Sequence, residues 1–143
     1  MRSQNILGAP QEAADPGTFV HGKRFVVVED DALIADALSN ILTGMGGSVK
    51  YFHDTEVALS YPDIGNADYY IVDFMVGGTL DGIQFLKRLR QKLGRPIKAV
   101  LMTGDTSPTF VTESENIGWP VLYKPANISK LVSSLRAQAS GPL

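Results

Sequence analysis

From Lys23 onward the chain alternates short apolar runs, one of them interrupted by Lys50, with segments of helical period, and few folds accommodate that alternation. The runs cover residues 25–28, 49–52, 69–72, 99–102 and 121–123, each rich in β-branched or aromatic types. Such runs suit strands buried on both faces of a parallel sheet. Between them, Ile34, Leu38, Ile41, Leu42 and Met45 form one apolar helical stripe that Gly46 and Gly47 end. Asp81 followed by Gln84 reads as a capping box ahead of the stripe Phe85, Leu86, Leu89 and Leu93. Ile128, Leu131, Val132 and Leu135 make a last stripe behind an Asn127 cap. Two shorter helices are expected at residues 55–61 and 108–116, the second with Pro108 in its first turn and a polar body.

Five strand and helix pairs without a repeat or an internal linker predict one α/β domain. It is a doubly wound parallel sheet with right-handed crossovers and helices on both faces. The domain is expected over residues 23–138, with a tail at 139–143. Residues 1–22 carry two prolines and three glycines and no period, so they read as an extended arm. The apolar pairs Ile6 with Leu7 and Phe19 with Val20 leave open that the arm docks on a second subunit.

Composition narrows the function. Of 143 residues, 44% are hydrophobic and 20% charged, enough for an ordinary core. Thirteen basic against fifteen acidic side chains give no cationic excess of the kind that phosphate-backbone binding needs, so direct nucleic-acid binding is not expected. With no cysteine, thiolate catalysis and disulfide frameworks are excluded and a reducing compartment is permitted. No apolar run approaches the ~20 residues that span a bilayer. A cytoplasmic protein without membrane contact is the expectation.

In a doubly wound sheet, ligands bind beyond the carboxyl ends of the strands. Those ends carry Glu29, Asp30 and Asp31, then Asp73, then Thr103 and Gly104, then Lys124 and Pro125. Taken singly, Asp30 or Asp31 serves as well as a helix cap, Thr103 as a turn residue and Lys124 as a solvated charge. Asp73 is different, because it stands after Tyr69, Tyr70, Ile71 and Val72 and before Phe74, Met75 and Val76, where a charge needs a partner. Two carboxylates about 4 Å apart repel by roughly 4 kcal/mol at an effective dielectric near 20, so clustering Glu29, Asp30 and Asp73 calls for a cation. Lys124 and a divalent ion would both serve, and all-oxygen ligation suits magnesium rather than zinc.

The segments VVVEDDALIADAL, IVDFM, LMTGD and LYKP, in this order and at these separations, resemble the receiver domain of two-component response regulators. The resemblance implies a flavodoxin-like (βα)5 fold with strand order 2-1-3-4-5. It makes Asp73 the acceptor of a phosphoryl group from the phosphohistidine of a sensor histidine kinase or histidine phosphotransfer protein. Magnesium would be held by Asp30, Asp73 and the backbone carbonyl of Met75, with Glu29 assisting through water. Lys124 would pair with one phosphoryl oxygen and Thr103 would donate its hydroxyl to another, while Asp31 caps the following helix. Movement of Thr103 and Lys124 toward the phosphoryl group would bias residues 108–116, and Lys124-Pro125 resembles the family's cis peptide.

Three departures stand out. The aromatic switch position is Val121, and Tyr123, beside the lysine, is expected on the opposite face from it. The loop MVGGTLDG is one residue longer than the commonest form and has glycine where proline is usual, which resembles receivers in or beside hybrid sensor kinases. Met75 is apolar two positions after the acceptor, where it is expected to shield the phosphoanhydride from water.

The length leaves no room for an output module, so the expectation is a single-domain phosphoprotein whose output is a protein contact. It is not an enzyme beyond catalysing its own phosphoryl acceptance and loss. Met1 and the arm favour a stand-alone protein over a receiver excised from a hybrid kinase, and a homodimer is expected from the arm. Two alternatives remain: a degenerate receiver used for docking or dimerisation, and a magnesium-dependent phosphatase or phosphotransferase with an aspartyl-phosphate intermediate. Against the latter, Met75 is no acid where haloacid dehalogenase-type enzymes carry one.

Overall fold

The computed structural model describes residues 15–104, 118–124 and 127–139. In chain order the elements are α1 (Pro16–Val20), β1 (Arg24–Val28), α2 (Ala32–Gly44), β2 (Ser48–Phe52), α3 (Thr55–Ser60), β3 (Tyr69–Asp73), α4 (Gly82–Leu93), β4 (Ala99–Thr103), β5 (Val121–Tyr123) and α5 (Ile128–Ala139). The five strands form one parallel sheet in the order β2-β1-β3-β4-β5. This is the expected doubly wound, flavodoxin-like order 2-1-3-4-5. The expected helix at 108–116, the Pro125 peptide and residues 140–143 lie outside the described residues.

Side chains on a strand alternate between its faces, and here both faces are apolar. Val26 and Val28 of β1, Tyr70 and Val72 of β3 and Leu101 of β4 join Phe85, Leu86 and Leu89 of α4 and Ala58 of α3. Phe25 and Val27, Tyr69 and Ile71, and Val100 and Met102 face the other way, onto Leu42 of α2 and Leu131, Val132 and Leu135 of α5. The central strands β3 and β4 are buried along their whole length, as continuous apolar runs require. The capping box at α4 forms, Asp81 accepting from the Gln84 amide at 2.8 Å and Gln84 accepting from the Asp81 amide at 2.9 Å. The Asn127 cap also forms, through the Lys130 amide at 2.8 Å.

The first core contains one buried hydroxyl with a single protein acceptor: Tyr70 donates to the Ile64 carbonyl at 2.6 Å. Tyr70→Phe leaves that carbonyl unpaired under apolar cover and is expected to lower folding stability by about 1 kcal/mol in a urea titration, without altering the slope.

The extended arm expected over residues 1–22 is corrected at its end. Asp15 accepts from the Gly17 amide at 3.0 Å and from the Thr18 hydroxyl at 2.7 Å, Pro16 takes the first turn, and a five-residue helix follows. Phe19 and Val20 are buried in the second core, the Phe19 ring 5.1 Å from that of Tyr69. Arg136 of α5 stacks over Phe19 at 5.0 Å and donates to the Asp15 carbonyl at 3.3 Å. This apolar pair therefore docks on its own chain, at the end of the sheet away from the acidic residues. Residues 1–14 lie outside the described residues.

Candidate functional site

Each residue of the acidic edge is placed by the strand that it ends. The Glu29 amide donates to the Phe52 carbonyl at 2.9 Å, which prolongs the pairing of β1 with β2 by one residue and turns the Glu29 side chain inward, fully buried. Its Oε2 accepts from the Asp31 amide at 3.1 Å. Asp31 turns the other way and caps α2 through the amides of Leu33 (3.0 Å) and Ile34 (3.3 Å), so of the two aspartates Asp30 remains for the site. Asp73, the last residue of β3, is 4% exposed, and its Oδ1 accepts from the Met75 amide at 3.3 Å.

Lys124 follows β5, held by its own amide donating to the Thr103 carbonyl at 2.8 Å. Its ammonium lies 3.1 Å from Glu29 Oε1 and 3.1 Å from Asp73 Oδ2, a bridge between two buried carboxylates. The electrostatics follow from this arrangement. Burial pushes the Glu29 pKa up to about 7, against the pull of the Asp31 amide and Lys124, with the charge of Asp73 adding to the rise. Burial works against the Lys124 ammonium, but its two carboxylate partners outweigh it and hold the amine pKa above its ordinary value.

Carboxylate oxygens of Glu29, Asp30 and Asp73 all lie within 4.8 Å of one another, with Asp30 open to solvent. Three oxygen donors without histidine or sulfur, one side exposed to water, fit a hard divalent cation that keeps part of its hydration shell, as magnesium does. Thr103 ends β4 fully buried beside this group. Met75 is 68% exposed, and its amide is tied to Asp73. Val121 pairs with Leu101 and packs half-buried against the first core, and Tyr123 is 43% exposed.

Two residues against the end of β3 and the loop that follows it had no signal in the sequence. Gly82 opens α4 so close to the end of β3 that a methyl group there would lie 2.5 Å from the Asp73 carbonyl. Thr55, the first residue of α3, is fully buried and donates its hydroxyl to the Leu80 carbonyl at 2.9 Å. A glycine at a helix start and a threonine after a cap look ordinary until the loop after β3 is folded against them.

Comparison with known proteins agrees with this geometry. The chain is 30% identical over 126 residues to the transcriptional regulatory protein TcrA of Mycobacterium tuberculosis, covering 87% of this chain and 49% of that protein. It is 31% identical over 117 residues to the DNA-binding response regulator MtrA of Mycolicibacterium paratuberculosis, covering 81% and 51%. The chain thus spans about half the length of these curated relatives. Among solved structures, the receiver domain of the Francisella response regulator 1452 superposes with a TM-score of 0.69 at 24% identity, covering 80% of this chain and 94% of that one, which shows a shared fold. The family model described as the response regulator receiver domain matches residues 25–136. The chain belongs to the response regulator receiver domain family.

Proposed function

We propose that this receiver takes a phosphoryl group onto Asp73 from the phosphohistidine of a sensor histidine kinase or histidine phosphotransfer protein, and passes the signal on through protein contacts. The observation that carries the reading is Asp73 itself, a buried strand-end carboxylate that shares a cation with Glu29 and clusters with Asp30. An Asp73 carboxylate oxygen attacks the phosphorus, the phosphorus–nitrogen bond breaks, and the departing imidazole takes up a proton. Asp30, Asp73 and the Met75 carbonyl would hold magnesium, with Glu29 behind them. When bound, the ion offsets the charge of phosphate meeting carboxylate.

The chain's own groups do the rest. Lys124, already 3.1 Å from Asp73 Oδ2, has only to exchange a carboxylate oxygen for a phosphoryl oxygen. Thr103, at the end of the neighbouring strand, supplies a hydroxyl to another. Because Lys124 is tied through its amide to Thr103, the two move together, which makes the segments after β4 and β5 the parts that a phosphoryl group would shift. Val121, packed against the first core in place of an aromatic residue, assigns that shift to Thr103 and Lys124 rather than to a ring rotation. The protein's catalysis extends to its own phosphorylation and dephosphorylation.

Incubation with phosphoramidate and Mg2+ is expected to add one phosphate by intact mass. The gain should disappear in Asp73→Asn and in the presence of EDTA. Persistent labelling of Asp73→Asn would remove Asp73 from its role, and an unlabelled wild type would favour a docking module.

A further inference from the structure

The loop between the acceptor and α4 contains two adjacent glycines, Gly77 and Gly78, so it has little intrinsic stiffness. It is nevertheless held along its length by the first residues of α3. The Thr55 amide donates to the Gly77 carbonyl at 3.1 Å, and the Thr55 hydroxyl spans the loop to the Leu80 carbonyl at 2.9 Å. Gly77 forms a bridge with Asp54, and Thr79 hydrogen-bonds Glu56. Gly78 sits at φ 110°, and a methyl group there would approach the Thr55 hydroxyl to 2.7 Å, so the glycine makes room for the threonine. At Gly77 a methyl group would lie 3.9 Å from Asp30 Oδ2, which sets this part of the loop against the acidic cluster.

We infer that Thr55 is a positioning residue for the cation site: its buried hydroxyl fixes the 75–80 loop against the cluster of Glu29, Asp30 and Asp73 before any ion arrives. Thr55 touches neither ion nor phosphate. Its effect is entropic, because a loop already ordered does not have to be ordered by the ligand. The inference rests on the magnesium site proposed above and adds the residue that prepares it.

Thr55→Val keeps the shape and removes the hydroxyl. Mg2+ titration of the wild type and the variant, followed by 1H-15N NMR, is expected to show about five-fold weaker binding, the factor for one hydrogen bond of about 1 kcal/mol. Amide exchange at Leu80 and Asp81 should quicken in the metal-free variant, and Thr55→Ser should restore both. At saturating Mg2+ the phosphoramidate labelling rate should return to the wild-type value, a split that a general loss of stability does not produce. If Thr55→Val is too unstable to titrate, Thr79→Ala cuts the exposed tie to the same loop and must weaken Mg2+ binding with an unchanged melting midpoint. A wild type that binds Mg2+ beside variants of equal affinity overturns the role of Thr55 alone. A wild type that binds no Mg2+ overturns the magnesium site and this inference with it.

Discussion

Gly82→Ala is expected to lower the melting midpoint by about 10 °C, the shift for roughly 3 kcal/mol of overpacking in a domain of this size. The added methyl would meet the Asp73 carbonyl at 2.5 Å, the Phe74 Cα at 3.0 Å and Leu101 Cδ2 at 3.0 Å. Two of those three are backbone atoms of Asp73 and Phe74, and neither can swing aside as a side chain can. Phe74 is pinned from both directions, its amide donating to the Met102 carbonyl at 2.8 Å and its carbonyl accepting from Gly82 at 2.9 Å. Either α4 withdraws from the sheet or Asp73, the proposed acceptor, moves, so phosphoramidate labelling should slow together with the loss of stability. Gly94→Ala provides the contrast: nothing lies within 4 Å of its methyl, and its φ of 68° costs about 1 kcal/mol without touching Asp73. A Gly82→Ala protein with a wild-type midpoint and labelling rate would show that α4 does not clamp Asp73.

Gly82 also illustrates what a sequence conceals. Asp73 was legible because a charge within an apolar run has few explanations, and Lys124 because it ends a strand that must lie on the same edge. A cap at Asp30 or Asp31 was legible because a helical stripe follows them, and the resemblance to receivers chose Asp31. The strands could be read because apolar residues, β-branched and aromatic types prominent among them, occur in runs of three or four, too short for a helix and too apolar for a loop. Gly82 and Thr55 carry no such pattern, and their importance comes from a loop of the same chain folding back on them. The α1 helix was missed for a related reason. Five residues containing a proline and a glycine show no period, and Phe19 with Val20 announces burial without saying against what. The rings of Tyr69 and Phe25 and the Arg136 guanidinium provide the answer, and only the tertiary fold brings them there.

Lys124→Met is expected to destabilise the metal-free protein by about 3 kcal/mol at pH 8, the lower end of the range for removing one member of a buried charge cluster. Lys124 keeps 23% of its side chain exposed, whereas Glu29 is fully buried and Asp73 nearly so, so the carboxylates are the groups left stranded. The loss should shrink at pH 6. Burial already pushes Glu29 to about 7, and without the ammonium its pKa goes higher still. An acid whose pKa is higher folded than unfolded binds more protons in the native state, so stability falls as pH rises from the unfolded value of about 4.3 to the folded one. In the wild type that fall ends near pH 7, and in the variant it continues above it. Below the variant's raised Glu29 pKa a proton replaces the missing cation, and above it only Mg2+ can. Mg2+ at pH 8 should therefore restore more stability to Lys124→Met than it adds to the wild type. Chemical denaturation at pH 6 and pH 8, with EDTA or with Mg2+, reads all four conditions. A loss that is equal at both pH values would mean that Lys124 is held by packing, and that the two carboxylates do not depend on its charge.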